Sequence, residues 1–234
     1  MRKIVTKIAG FCGLAVIALA APLTAHAVPF TASLTAAADG DIKTFGGVSI
    51  DTTDFIVSVQ SSGANETWGI LEFDLSSIPD TATITSARLR LETFGLLTNV
   101  GDAPVTVDFY AFDGDGTVGL GDESAGGTLV ASEIYPSGTV GAGGTPANSL
   151  LDIDFLTLTE LEDAVTGATS DFLAIRLDTI NFATFRVYST ENAGGFLAPT
   201  LEINYEADVV DAPSPLLLFA GGLLAIRLLR KRRV

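Results

Sequence analysis

The sequence predicts an all-β body, a two-sheet antiparallel sandwich with one short helix, flanked by a removable segment at each end. Three observations carry that expectation. Between residues 28 and 206, apolar residues recur at every second position rather than every third or fourth. Gly- and Asp-rich turn signals interrupt the alternation at short intervals. Helix-start and helix-stop residues bracket a single stretch.

Along the chain, strands are expected first over 31–37, 55–60 and 67–75. The alternation then becomes strict in Ala87-Arg88-Leu89-Arg90-Leu91-Glu92 and in Val105-Thr106-Val107-Asp108-Phe109, each placing its apolar residues on one face. Further strands follow over 128–135, 149–155, 171–177 and 184–189, and Thr200-Leu201-Glu202-Ile203-Asn204-Tyr205 alternates strictly again. The separators are Asp39-Gly40-Asp41, Gly46-Gly47, Pro79-Asp80, Asp113-Gly114-Asp115-Gly116 and Gly143-Gly144. The helix is expected over 160–166, where Thr159 and Glu162 form a capping box and Gly167 supplies a stop. Short strands joined by Gly-rich turns, with hardly any helix, indicate a sandwich.

The N-terminal segment is an export signal. Arg2, Lys3 and Lys7 make a basic start, 8–23 is an apolar run, and Ala25-His26-Ala27 is a small-x-small cleavage site, so residues 1–27 read as a signal peptide cut by signal peptidase. Cys12 follows Phe11 inside the apolar run and leaves with the peptide. The only Met, Cys and His of the chain, Met1, Cys12 and His26, all precede the cut. The mature chain therefore has no Cys or His nucleophile, no His- or Cys-ligated zinc, no thiol redox chemistry and no disulfide.

Charge narrows the partners. The 28 acidic residues lie beyond Ala27 and before the basic tail, where the only cations are Lys43, Arg88, Arg90, Arg176 and Arg186, which leaves the body at −23. Such a surface repels nucleic acid and attracts divalent cations.

The C-terminal end has three parts: a linker over 207–215, a hydrophobic helix over 216–229 and a basic tail over 230–234. The uninterrupted apolar run, 216–226, reaches only roughly 16 Å as a helix, against about 30 Å for a bilayer core. Extended over 212–229, with Arg227 snorkelling and Arg230, Lys231, Arg232 and Arg233 holding the cytoplasmic end, it reaches roughly 27 Å. That length suits a transient stay in the inner membrane; a permanent single-pass anchor is the alternative.

Two resemblances add to this. "ILEFDLSSIPDTATITSARLRLETFG", residues 70–95, resembles the central motif of the DNRLRE domain family, also classed as a carbohydrate-binding-module family, and "FRVYSTENAGGFLAPTLEINYE", residues 185–206, resembles its closing pair of strands. The resemblance implies a jelly-roll-like sandwich over 28–206. Thr190 stands where the family has Arg in its closing turn. The tail is similar to a PEP-CTERM sorting signal, with Val210, Asp211, Ala212, Pro213 and Ser214 as the motif; Asp-Ala stands where Pro-Glu is usual. That similarity implies recognition and removal by an exosortase-like membrane protease.

Within the body, Asp113, Asp115, Thr117, Asp122 and Glu123 place hard oxygen ligands on a Gly-rich loop and make it a candidate calcium site. It is not an EF-hand, because Val118 and Ser124 occupy the positions that need Gly and Glu. A second acidic group, Asp39, Asp41, Asp51 and Asp54, reads as surface. For sugar binding the candidates are Trp68 and Tyr110 with Arg88, Arg90 and Arg186; Tyr135 and Tyr188 are further aromatics. Trp68 and Tyr110 also fit core positions, and Arg88 and Arg90 also fit plain surface ion pairs. No motif fixes two carboxylates at a catalytic separation, so no catalytic residue is assigned. The expected role is a non-enzymatic, polysaccharide-associated protein of the cell surface or extracellular matrix; a carboxylate-dependent polysaccharide-degrading enzyme is the alternative.

Overall fold

The computed structural model describes residues 25–61, 65–95, 103–136, 146–167, 170–179 and 183–210. In chain order these form β1 (Ala25–Thr35), β2 (Ala38–Lys43), β3 (Ser49–Asp51), β4 (Ile56–Ser61), β5 (Glu66–Asp74), β6 (Thr83–Glu92) and β7 (Val105–Asp113). They continue as β8 (Thr128–Tyr135), β9 (Leu150–Asp154), α1 (Thr159–Val165), β10 (Phe172–Thr179), β11 (Thr184–Tyr188) and β12 (Thr200–Val210). Residues His26–Val209 group into one unit.

The strands make two antiparallel sheets. The first is ordered β1-β12-β6-β9. The second runs β11-β4-β5-β10-β7-β8, and β2 pairs with β5 on the edge opposite β10, with β3 beyond it. The strict alternations of the sequence become the core faces. Leu89 and Leu91 of β6, Ile153 of β9 and Leu201 and Ile203 of β12 oppose Leu71 and Phe73 of β5, Leu173, Ile175 and Leu177 of β10, and Val107 and Phe109 of β7. Each such side chain contributes about 1.5–3 kcal/mol by leaving water. Helix α1 adds Leu161, Ala164 and Val165 to the same core.

One corner joins the sheets. Thr93, just past β6, bridges to Val187 of β11, and the Phe94 N–H donates to the Arg186 carbonyl at 2.9 Å. This brings the end of the first sheet's central strand against the edge of the second. The aromatic site described below sits there.

Three local expectations are corrected. Asp39-Gly40-Asp41 is not a turn but the middle of β2, because a glycine is needed there for packing: a Cβ on Gly40 would lie 2.5 Å from the Asp51 carbonyl oxygen and 2.9 Å from the Thr52 methyl. Asp39 and Asp41 are consequently 2% and 1% exposed rather than on the surface. The capping box at α1 does not form either: Thr159 is already helical, Leu158 is the N-cap, and no side chain caps the helix. Gly167 does follow the helix, with φ at 66°.

Candidate functional site

Both cations on the outward face of the first sheet are paired. Arg88 Nε meets Asp154 Oδ1 at 2.6 Å across the β6–β9 register. Arg90 reaches Asp152 at 3.0 Å on one side and Glu202 of β12 at 2.9 Å on the other. Beside them Asn204 donates to Ser86 Oγ at 2.9 Å and accepts from Thr31 at 2.7 Å. Arg88 and Arg90 are therefore engaged by carboxylates of the protein itself.

The outward face of the second sheet is different. After β7 the chain folds back over it as the 114–127 loop. Arg176 of β10 fastens this loop from below, its Nη1 donating to the carbonyls of Glu123 at 3.0 Å and Ala125 at 2.8 Å, while its guanidinium lies 5.0 Å over the Tyr110 ring. Tyr110 is thus a shelf for Arg176 on the outer face, not a core residue, and the half-buried Trp68 shares that face with the buried Glu72 by strand alternation.

The predicted calcium ligands all lie at this loop, and of their acids Asp113, Asp115 and Asp122 each have a local partner. Asp113 Oδ1 accepts from the Ser170 N–H at 3.1 Å and its hydroxyl at 2.8 Å. Asp115 Oδ1 accepts from the Thr117 N–H at 2.9 Å and hydroxyl at 2.6 Å, and Asp122 Oδ2 from the Gly119 N–H at 2.6 Å. Among the described residues, no three His, Cys, Asp or Glu side chains converge as a metal site. The residue that sequence reasoning missed is Glu72. It is 0% exposed beneath the loop; Oε2 accepts from the Gly116 N–H at 3.3 Å, and Oε1 has no hydrogen-bond partner. Burial pushes its carboxyl up to about 7, against the lowering hydrogen bond from Gly116, and Asp122, Asp115 and Asp113 push it further up. Burial also raises Asp122.

At the corner between the sheets lies an open groove of about 360 Å³ lined by Phe55, Phe94, Tyr188 and Phe196, with Glu191 and Asn192 at its polar side. Phe196 stacks flat on Tyr188, centroids 4.1 Å apart at 6°. Phe94 meets Tyr188 edge-on at 5.4 Å, and Phe55 meets Phe94 edge-on at 5.3 Å. The Tyr188 hydroxyl donates to Asn148 Oδ1 at 2.8 Å, fixing the central ring. Phe55 and Phe196 keep 51% and 37% of their surface exposed, so the cluster leaves part of its aromatic surface open.

The rim follows from the 189–192 turn. Ser189 donates to the Asp54 carbonyl at 2.8 Å, the Thr190 N–H donates to Asp39 Oδ2 at 2.8 Å, and Asn192 Nδ2 donates to the Ser189 carbonyl at 2.9 Å. Burial pushes Asp39 up to about 6, opposed by the Thr190 hydrogen bond and reinforced by Glu191. Alternation along β11 places Thr184, Arg186 and Tyr188 on one face, opposite Gln60, Ser58 and Ile56 of β4. Arg186 is exposed and, among the described residues, its side chain has neither a hydrogen bond nor an ion pair. Lys43, by contrast, is held by Asp41 at 3.0 Å and Asp51 at 3.6 Å.

Of the predicted glycan residues, Arg186 shares the β11 face with the groove's Tyr188 without lining the groove, and Trp68, Tyr110, Arg88 and Arg90 lie elsewhere. Tyr135 stacks on Phe185 at 5.8 Å, against the core. The three phenylalanines of the groove were not singled out by sequence, since Phe in an apolar strand pattern reads as core. Phe196, directly after Gly194-Gly195, was the available signal.

The terminal expectations fall mostly outside the described residues. Ala25 and Ala27 begin β1 and Val210 ends β12, whereas residues 1–24, Asp211, Ala212, Pro213 and Ser214, and Arg227, Arg230, Lys231, Arg232 and Arg233 lie outside. Among the described residues no helix is long and apolar enough to cross a membrane. No protein-family model matches the chain, and no curated protein matches it.

Proposed function

We propose that this protein is exported and acts at the cell surface or in the extracellular matrix by holding a polysaccharide, without cleaving it, over the groove of Phe55, Phe94, Tyr188 and Phe196. The observation that carries this reading is the partly exposed aromatic cluster. Sugar rings have apolar C–H faces that gain by lying on aromatic faces, and the groove's volume is in the range of small-ligand sites. Asn192 and Glu191 supply hydrogen-bonding groups at one side, and Ser58, Gln60 and Arg186 continue along the β4–β11 face as a polar track for further sugar units. Arg186 is the cation to which a uronate carboxyl would turn, since Arg88 and Arg90 already have carboxylate partners.

The similarity of 70–95 and 185–206 to a carbohydrate-binding-module family supports the same reading and extends it to a jelly-roll-like topology. The signal peptide places the body outside the cytoplasm. The tail, similar to a PEP-CTERM signal, holds it briefly in the inner membrane until an exosortase-like protease releases it.

Incubating the purified protein with the producing cells' polysaccharide, and measuring co-sedimentation and new reducing ends together, tests the function. Co-sedimentation without new reducing ends is the expected outcome. Reducing ends above a heat-treated control would establish catalysis, and no co-sedimentation would defeat the binding role. Intact mass tests the sorting: the native protein should lack residues 1–27 and everything after roughly Pro213, and a mass that retains 230–234 would indicate a permanent anchor.

A further inference from the structure

We propose that the junction between the 114–127 loop and Glu72 binds one divalent cation of the calcium class, with Glu72 rising from the sheet as the anchoring ligand and Asp115, Asp122 and Glu123 closing on it from the loop. The proposal does not depend on the polysaccharide reading.

It rests first on Glu72. A fully buried carboxylate with one unpaired oxygen is costly, because it has lost its water and nothing replaces it on that side. Glu123 repeats the pattern: its Oε2 is likewise buried and without a partner. Both unpaired oxygens are acceptors, so what they lack is a donor or a cation. Arg176 is the one cation at this loop among the described residues; it makes no ion pair with these acids, and its own Nε is buried without a partner. Arg176, which holds the loop, spends its Nη1 on the carbonyls of Asp122, Glu123 and Ala125, and Lys43 is bound to Asp41 and Asp51.

The loop is built to approach Glu72 closely. A Cβ on Gly114 would overlap the Glu72 carboxylate, and the Gly116 N–H already donates to it, so the backbone runs directly over the buried acid. Asp122 and Asp115 are near enough to repel both Glu72 and each other. Three mutually repelling carboxylates under a Gly-rich loop are the charge arrangement that a divalent ion reverses. Carboxylate and carbonyl oxygens on a Gly-rich loop suit calcium, which accepts six to eight oxygens in variable geometry, better than magnesium, which demands a tight octahedron. Because no three acids already converge, binding must draw the loop acids inward, and calcium should therefore order the loop as it binds.

The test is calcium titration of the purified full chain after chelator treatment, read by calorimetry and by melting temperature. Calcium at a hundredfold excess over its Kd should raise Tm by roughly 5–10 °C. Magnesium at equal concentration should do less. Glu72→Gln keeps the shape and the Gly116 hydrogen bond but removes the charge, so it should melt no lower than wild type in chelator and lose the calcium shift. Asp152→Asn, on the first sheet, should keep the shift. Should Glu72→Gln fail to fold, Asp122→Asn replaces it and should weaken calcium at least tenfold. No heat and no shift in the wild type, a full shift retained in Glu72→Gln, unchanged affinity in Asp122→Asn or an equal response to magnesium would each overturn the proposal.

Discussion

The outward faces of the two sheets are made from the same acidic chain yet solved in opposite ways. On the first sheet every cation has its anion: Arg88 with Asp154, Arg90 with Asp152 and Glu202, and the Ser86, Asn204 and Thr31 side chains linked to one another. On the second sheet and its corner, groups are left wanting partners: a buried carboxylate oxygen on Glu72, an unengaged Arg186 and exposed rings at Phe55 and Phe196. A satisfied face has little to gain from a ligand. An unsatisfied one retains free energy that a ligand can release, which is why both proposed sites fall on the same side of the contrast.

The largest effect should come from the floor of the groove. Tyr188 is 6% exposed and packed between Phe94 and Phe196, so Tyr188→Ala should destabilise the fold by about 3 kcal/mol, measured by chemical denaturation. Phe196→Ala, at the exposed side of the same stack, should change stability by less than about 1 kcal/mol. Equal losses would mean that the two rings are one structural unit and that no part of the cluster is reserved for a ligand.

A smaller effect sharpens the contrast through pH. Asp39 behind the groove's rim is raised from 3.8 to about 6, so the folded state holds its proton more tightly than the unfolded chain. Protonation therefore favours the fold: the contribution is fully present below about pH 3.8 and is lost as pH rises through about 6. In chelator, stability should fall by about 2–3 kcal/mol across that window from Asp39 alone. Asp39→Asn, which can still accept from the Thr190 N–H, should flatten the curve by that amount, and an unchanged pH profile would refute the assignment.

The smallest effect belongs to the satisfied face. Arg90→Ala removes two solvent-accessible ion pairs and should lower stability by no more than about 1 kcal/mol, a loss that shrinks in high salt. A loss of several kcal/mol would show that the first sheet depends on its charges as much as the second does on its core.

The contrast also explains what the sequence made legible. The first sheet was readable because its strands face a core on one side and water on the other, so β6 and β12 alternate strictly and Arg88 and Arg90 declare themselves as outward. The second sheet is covered on both faces over part of its width. There β5 reads as a nearly continuous apolar run, and Glu72 within it carries no periodic signal that it lies beneath a loop 44 residues away. Strand β2 was hidden for a related reason, since Asp39-Gly40-Asp41 has turn composition but the glycine serves close packing against Asp51 and Thr52. The acidic residues of 113–123 were legible as one loop because they are local in sequence. Glu72 and the aromatic groove were not, because each is assembled by tertiary contact: Phe55, Phe94 and the Tyr188–Phe196 stretch are three separate segments that meet only at the corner between the sheets.

The proposed function puts the polysaccharide on the unsatisfied face and not on the paired one. It is tested most directly by a binding isotherm of the purified protein on the producing cells' polysaccharide, comparing wild type, Phe196→Ala and Arg90→Ala at matched stability. Loss of one exposed ring from the groove should weaken binding at least tenfold, the scale of a buried aromatic contact, while Arg90→Ala should stay within about twofold of wild type. Wild-type affinity in Phe196→Ala together with a loss in Arg90→Ala would place the binding surface on the first sheet and contradict the account.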